Sequence, residues 1–212
     1  MKSRTFRVRA LGSLACFTRP EMKAERVSYE VMTPSAARGV LEAILWKPAI
    51  RWCIEEIAVE RPIQWTSFRR NEVNSKASLR MGPYFADEDR AQRNTVALKD
   101  VSYVIAAHFV MTDRTDTGDT VTKFEEMLMR RLHKGQCFQQ PFLGCREMAA
   151  NVEACGDGTR QIGLTKPLGL VFYDYDYDHE PPRPLFFDAR LDGGVVRVPS
   201  WDEVLVENGG AT

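Results

Sequence analysis

Four groups of residues have the types and spacing to do chemistry. Asp174, Asp176 and Asp178 recur at period two in LVFYDYDYDHE, the spacing that puts three carboxylates on one face of a strand. Such a set could hold Mg²⁺ for a metal-dependent nuclease; a solvated outer face opposite the tyrosines is the preferred reading, so no metal and no cofactor are expected. His108 stands in an apolar run with Val104, Ala106 and Val110 on its side, which suits a core histidine with one satisfied nitrogen. Lys123 falls in the first turn of a helix, where free N–H groups and the helix dipole favour an anion, and a cation there would complete a phosphate pocket. The five cysteines are odd in number and contain no C-x-x-C pair, so buried free thiols are expected rather than a disulfide framework or a zinc site.

Several elements must position these groups. Thr33 to Trp52, TPSAARGVLEAILWKPAIRW, reads as a helix running into a strand. Thr33 is a good N-cap and Pro34 suits the first helical position. Ala37, Val40, Leu41, Ile44 and Leu45 form an apolar stripe, and Pro48 forces the chain out of the helix. Ile50, Trp52 and Ile54 then alternate, and a β-bulge between Ile54 and Ile57 would restore the buried face. Thr5 to Ala10 reads as an earlier strand. Arg61 to Lys99 reads as a projecting hairpin or long loop. Val101 to Met111 is apolar on both faces, as a central covered strand should be. Thr122 and Glu125 suggest a capping box for a second helix, with Phe124, Met127, Leu128 and Leu132 buried and Gly135 ending it. Phe142 to Met148 reads as a further strand. This order is that of a split βαβ, or ferredoxin-like, unit, whose open sheet face serves RNA-recognition modules. The remainder alternates as strands around an Asp192-Gly193-Gly194 hairpin turn and ends in a frayed ENGGAT tail.

The expected fold class is therefore α+β. Residues 1–150 would form a ferredoxin-like (RRM-like) domain with an insertion at about 61–99, and residues 151–212 a small antiparallel β-rich domain. The chain has 212 residues with no net charge, yet residues 1–80 carry 15 Lys and Arg against 8 Asp and Glu. The rest carries the opposite excess, an asymmetry that suits a basic surface on the first half or neutralisation between the halves. No apolar run reaches the length of a membrane span. A cytoplasmic protein is expected.

The strings FTRPEMKAERVSY, MTPSAARGVLEAILWKPAIRW, RRNEV, LKDVSYVIAAHF and GQCFQQPFLGCRE, in this order, resemble the Cas-five family of CRISPR-associated proteins in its type I-C (Dvulg) form. The resemblance runs from about Phe6 to about Phe187. It implies a ferredoxin-like domain with a β-rich C-terminal part. It also implies metal-free cleavage of the CRISPR RNA precursor, retention on the 5′ handle of the product, and partners among the backbone and large subunits of the Cascade complex. The family pattern implies a Tyr or His just before Trp-Lys-Pro and a Lys-His pair at the start of the second helix. Lys123 matches the lysine, whereas Leu45 and Phe124 stand where proton carriers are expected. A non-catalytic, handle-binding cap is therefore the alternative. His133, Tyr29 and Lys47 are the other groups that could move protons, although His133 lies roughly 15 Å along the helix from Lys123. Within the matched strings, Arg19, Lys23, Arg26, Arg38 and Lys47 are expected to contact RNA, as are Arg69, Arg70, Arg131 and Arg146. Gln139 and Gln140 would read base edges, and Trp65, Phe68 and Tyr84 could stack on unpaired bases.

Overall fold

The computed structural model describes residues 1–209 other than 23, 77, 79–81, 83, 84, 157 and 159. Lys23 and Tyr84 thus lie outside the described residues. Strand β1 spans Phe6–Ala15 and is followed by the two-residue β2, Arg26–Val27. Helix α1 covers Pro34–Ile44, with the Thr33 side chain accepting a bond from the Ala36 N–H as expected. Then come β3 (Ile50–Val59), β4 (Trp65–Val73) and β5 (Arg90–Met111). Helix α2 covers Val121–Lys134 and leads to β6 (Asn151–Ala154), β7 (Lys166–Asp176), β8 (Arg183–Asp192), β9 (Val195–Arg197) and α3 (Trp201–Glu207).

Among the described residues, one nine-stranded sheet runs β6-β1-β5-β3-β9-β8-β7, with β2 and β4 also on β5. All of these pairings are antiparallel except β2 with β5. The long β5 organises the sheet. Its second half is buried on both faces and lies between β1 and β3. Its first half pairs with β4, so the region from 61 to 99 contains a hairpin arm. The bulge expected in β3 is present as a register shift between Ile54 and Glu56. Strand β6 follows residue 150 and pairs with β1, while β9 pairs with β3, so the C-terminal strands continue the same sheet.

One face of the sheet buries the helices. Phe6 and Trp52 pack with Phe109, and Phe109 meets Phe124 of α2 edge-on, with ring centroids 6.3 Å apart. Val40, Leu41 and Ile44 of α1 and Leu128 of α2 are fully buried in the same core. Gly135 caps α2 in the left-handed conformation, as the sequence suggests.

Four expectations need correction. The N-cap of α2 is Thr120, whose side chain accepts from the Lys123 N–H, rather than Thr122. Glu125 instead accepts the Arg4 N–H at 2.9 Å. Phe142 to Met148 is a looped segment with one bridge, Phe142 to Ala149, and the strand comes later as β6. Gly144 explains the loop: at φ +84 it presses so close to Cys16 that an added Cβ would sit 2.1 Å from the Cys16 carbonyl oxygen. The aspartates do not form a solvated face either. A register shift between Phe172 and Asp174 breaks the alternation, and Asp176 is buried against Arg183 and His179. Finally, the chain before the tail forms α3, capped by the reciprocal pair Ser200 and Glu203.

Asp174 accepts two bonds from Arg38, at 2.8 and 3.0 Å, and Arg38 also pairs with Glu42 at 2.8 Å. This guanidinium ties α1 to β7. Arg38→Ala should leave a largely buried carboxylate without its cation and lower stability by about 2 kcal/mol, read as a lowered denaturation midpoint.

Candidate nucleic-acid interface

Three carbonyls at the C-terminus of α1 are bonded by α2, by the loop after it and by β3. Ala43 C=O accepts from the N–H groups of Phe138 and Gln139 at 2.8 and 3.0 Å. Ile44 C=O accepts from the Arg131 guanidinium at 2.5 Å, and Leu45 C=O from the Trp52 indole N–H at 3.1 Å. These are the carbonyls that a helix end leaves unpaired. Satisfying them from α2, its following loop and β3 fixes those elements against one another. Arg131, expected to contact RNA, therefore has a structural partner.

Beyond this junction lies an exposed surface of rings and cations. Trp46 and Phe138 are 49% and 61% exposed, with ring centroids 6.1 Å apart and planes tilted by 31°. Lys47 is exposed, and its ammonium group makes no hydrogen bond or ion pair among the described residues. Lys123 reaches Asp119 at 2.8 Å and still leaves its side chain 48% exposed. The Lys123 hydrogen bond holds the Asp119 carboxyl below its usual range, helped by the Asp116 backbone contact and by the field of Lys47. The two ammonium groups thus bear on one carboxylate, beside the amino end of α2. Gln139 is exposed on the adjoining loop, whereas the Gln140 amide is spent on the Pro141 and Ala150 carbonyls.

Leu45 and Phe124 are buried in the core, with relative exposures of 0% and 1%. Neither side chain can carry a proton. Of the other proton-moving groups considered, Tyr29 is buried, and burial pushes its hydroxyl up. His133 is exposed in the last turn of α2.

A second group of the expected cations gathers at the far end of β1. Arg26 pairs with Glu147 at 2.6 Å, donates to the Cys145 sulfur at 3.3 Å and approaches Glu72 at 3.7 Å. Arg70 bonds Glu72 and Thr95, and Arg19 lies 4.5 Å from the centre of the Tyr29 ring. Arg69 and Arg146 are exposed. Trp65 is exposed on the hairpin arm, and Phe68 is partly buried beside Cys16. The ends of β1 lie ~30 Å apart, so the structure divides the expected cations between two loci. Arg38 joins neither. All five cysteines are free. Trp46 and Phe138 escaped the sequence reading; the available signal was two large rings off the apolar stripes, each beside a polar or cationic residue. Among the described residues, no helix is long and apolar enough to cross a membrane.

The architecture defines a mixed α/β protein with a large antiparallel sheet, three described helices and an aromatic, cationic surface at the helix junction. Residues 5–199 match the family model described as CRISPR-associated protein (Cas_Cas5), and the chain belongs to that family. It is 45% identical to a protein of Mannheimia succiniciproducens named CRISPR pre-crRNA endoribonuclease Cas5d, over 91% of this chain and 94% of that one. A solved structure titled Crystal Structure of CRISPR-associated Protein superposes with a TM-score of 0.74 at 27% identity, covering 96% of both chains. A chain from a structure titled CRISPR RNA-guided surveillance complex shares the fold at a TM-score of 0.51 and 12% identity, over 93% of this chain and 90% of that one.

Proposed function

We propose that this chain is a type I-C pre-crRNA endoribonuclease that binds CRISPR repeat RNA, cuts it without a metal and stays on the 5′ handle as a subunit of Cascade. In this reading β1, β5 and β3 with α1 and α2 form the ferredoxin-like unit of residues 1–150, and residues 151–212 form a β-rich appendage whose first strand, β6, adds to the edge of that unit at β1. The observation that carries the proposal is that Lys47 and Lys123 both act on Asp119 beside the amino end of α2, with Trp46, the neighbour of Lys47 in the chain, exposed in ring contact with Phe138. The name of the Mannheimia relative supports the activity, and the surveillance-complex neighbour is in keeping with the assembly.

The chemistry requires little from the protein. The ribose 2′-oxygen attacks the adjacent phosphorus, the bond to the 5′-oxygen breaks, and a 2′,3′-cyclic phosphate remains. The 2′-OH proton leaves to a base, and the departing 5′-oxygen gains one. Lys123 and the first N–H groups of α2 stabilise the charge that grows on the non-bridging oxygens. Trp46 and Phe138 hold flanking bases so that attack is in line. With Leu45 and Phe124 in the core, water is the base and acid that this reading assigns. Repeat RNA mixed with the protein in EDTA should yield a product ending in a cyclic phosphate; tight binding with no cut would refute the nuclease. Replacing Trp46 and Phe138 together by Ala should weaken repeat-RNA binding about tenfold or more in a gel-shift titration.

The burial of Leu45 and Phe124 favours a second reading, a non-catalytic cap that holds the handle and docks the backbone and large subunits. It predicts handle affinity equal to that of the nuclease reading and no product at any time.

A further inference from the structure

A different cavity, of about 510 Å³, opens where the C-terminal strands leave β3. Strand β9 pairs with β3 only at Glu56 to Ala58, so among the described residues no strand lies beside Arg51 to Ile54 on that side. The Val198 N–H bonds the Glu55 carbonyl at 2.9 Å and closes the lower end of this notch. Its walls are aromatic. Tyr173 and Trp201 have ring centroids 6.1 Å apart, and Tyr175 and Tyr177 continue the wall at 6.0 Å.

Charged and polar side chains share the lining, among them Arg38, Arg51, Glu55, His108, Asp174 and Asp202. His108 Nδ1 lies 2.6 Å from Glu55 Oε1, and Glu55 also accepts from the Thr5 hydroxyl at 3.0 Å. With Nδ1 engaged by Glu55, Nε2 is the ring nitrogen without a partner among the described residues. Asp174 has both oxygens engaged by Arg38. Arg51 is exposed at the rim, and its guanidinium makes no hydrogen bond or ion pair among the described residues. The cavity therefore presents flat apolar walls, an open strand edge with a histidine nitrogen, and one free guanidinium outside.

We propose that this notch binds one nucleotide, its base stacked against the Tyr173 and Trp201 wall, its edge facing β3 and His108, and its phosphate on Arg51. The volume suits a ligand of this size. Aromatic stacking takes any base, while guanidinium meets phosphate as a fork. The site is separate from the α1–α2 junction. Its readout is binding of a ligand that is not cut, so failure here leaves the cleavage reading intact, and failure of cleavage leaves this one intact.

The test titrates the full chain by calorimetry with AMP, GMP, CMP and UMP, before and after adding repeat RNA. At least one nucleotide should bind at a single saturable site. Arg51→Glu, a surface change, should weaken that binding about tenfold, and Trp201→Ala should do so by about as much or more. Thermal melts identify any variant that fails to fold, and if Trp201→Ala does, Arg51→Glu decides alone. Displacement of the nucleotide by repeat RNA assigns the site to a residue of that RNA; coexistence assigns it to a free nucleotide. Both support the notch. No binding by any of the four, or binding unchanged in Arg51→Glu, overturns it.

Discussion

Lys123→Ala should slow cleavage of repeat RNA about 10²- to 10³-fold while weakening binding only a few-fold. The asymmetry follows from where charge appears. A bound RNA already has each phosphate at charge −1, and many cations share its attraction, so losing one contact changes affinity little and lowers the salt slope by about 0.7. Extra charge on the attacked phosphate exists only on the way to the pentacovalent state. A preplaced donor at that point acts on the rate, at the magnitude typical of a lost oxyanion donor. Lys123 is suited to the role because the α2 N-terminus holds it in place, with Thr120 capping its own N–H and Asp119 steering its ammonium group. Single-turnover rates and filter-binding isotherms at two salt concentrations separate the two effects. Equal losses in both would mean that Lys123 only helps to hold RNA.

The second large effect concerns the fold. Phe124→Ala should destabilise the protein by about 3–5 kcal/mol, lowering the thermal midpoint by roughly 10 °C. Phe124 is 1% exposed and meets Phe109 edge-on at 6.3 Å, and Phe109 in turn packs on Phe6 and Trp52. Its removal opens a cavity at the centre of the helix–sheet contact. The same burial governs any attempt to install proton carriers. Leu45→Tyr combined with Phe124→His would place a hydroxyl and an imidazole where the present side chains have no water contact. A gain in cutting by that double variant therefore requires the first turn of α2 to open, and hydrogen exchange over residues 120–126 should rise with it. A midpoint like that of the parent for Phe124→Ala would contradict the packing account.

Much of the fold could be read in advance where local chemistry and the pattern of burial agree. Thr33, Pro34 and Pro48 bound α1, the doubly apolar run to Met111 marks the central strand, and Asp192-Gly193-Gly194 marks a hairpin. Reading failed where a distant neighbour decides. RTDTGDTVT offers several threonines as caps, and only packing selects Thr120. FLGCREM alternates like a strand, but the approach of Gly144 to Cys16 turns it into a loop. The aspartate ladder was broken by a register shift that no spacing signals. For the site, residue type identified cations but not their partners. Arg38 looks like Lys47 on paper, yet its partner Asp174 lies 136 positions away in the chain, whereas the Lys47 ammonium group has no such partner among the described residues. Trp46 and Phe138 become a pair only because the loop after α2 bonds the Ala43 carbonyl.

The most direct test of the central claim is to map where RNA lies. Repeat RNA carrying 4-thiouridine, irradiated on the protein and digested to peptides, should crosslink chiefly to the segment around Trp46 and Lys47 and to the loop around Phe138. Crosslinks confined to the hairpin arm and the far end of β1, with none at the α1–α2 junction, would contradict the account.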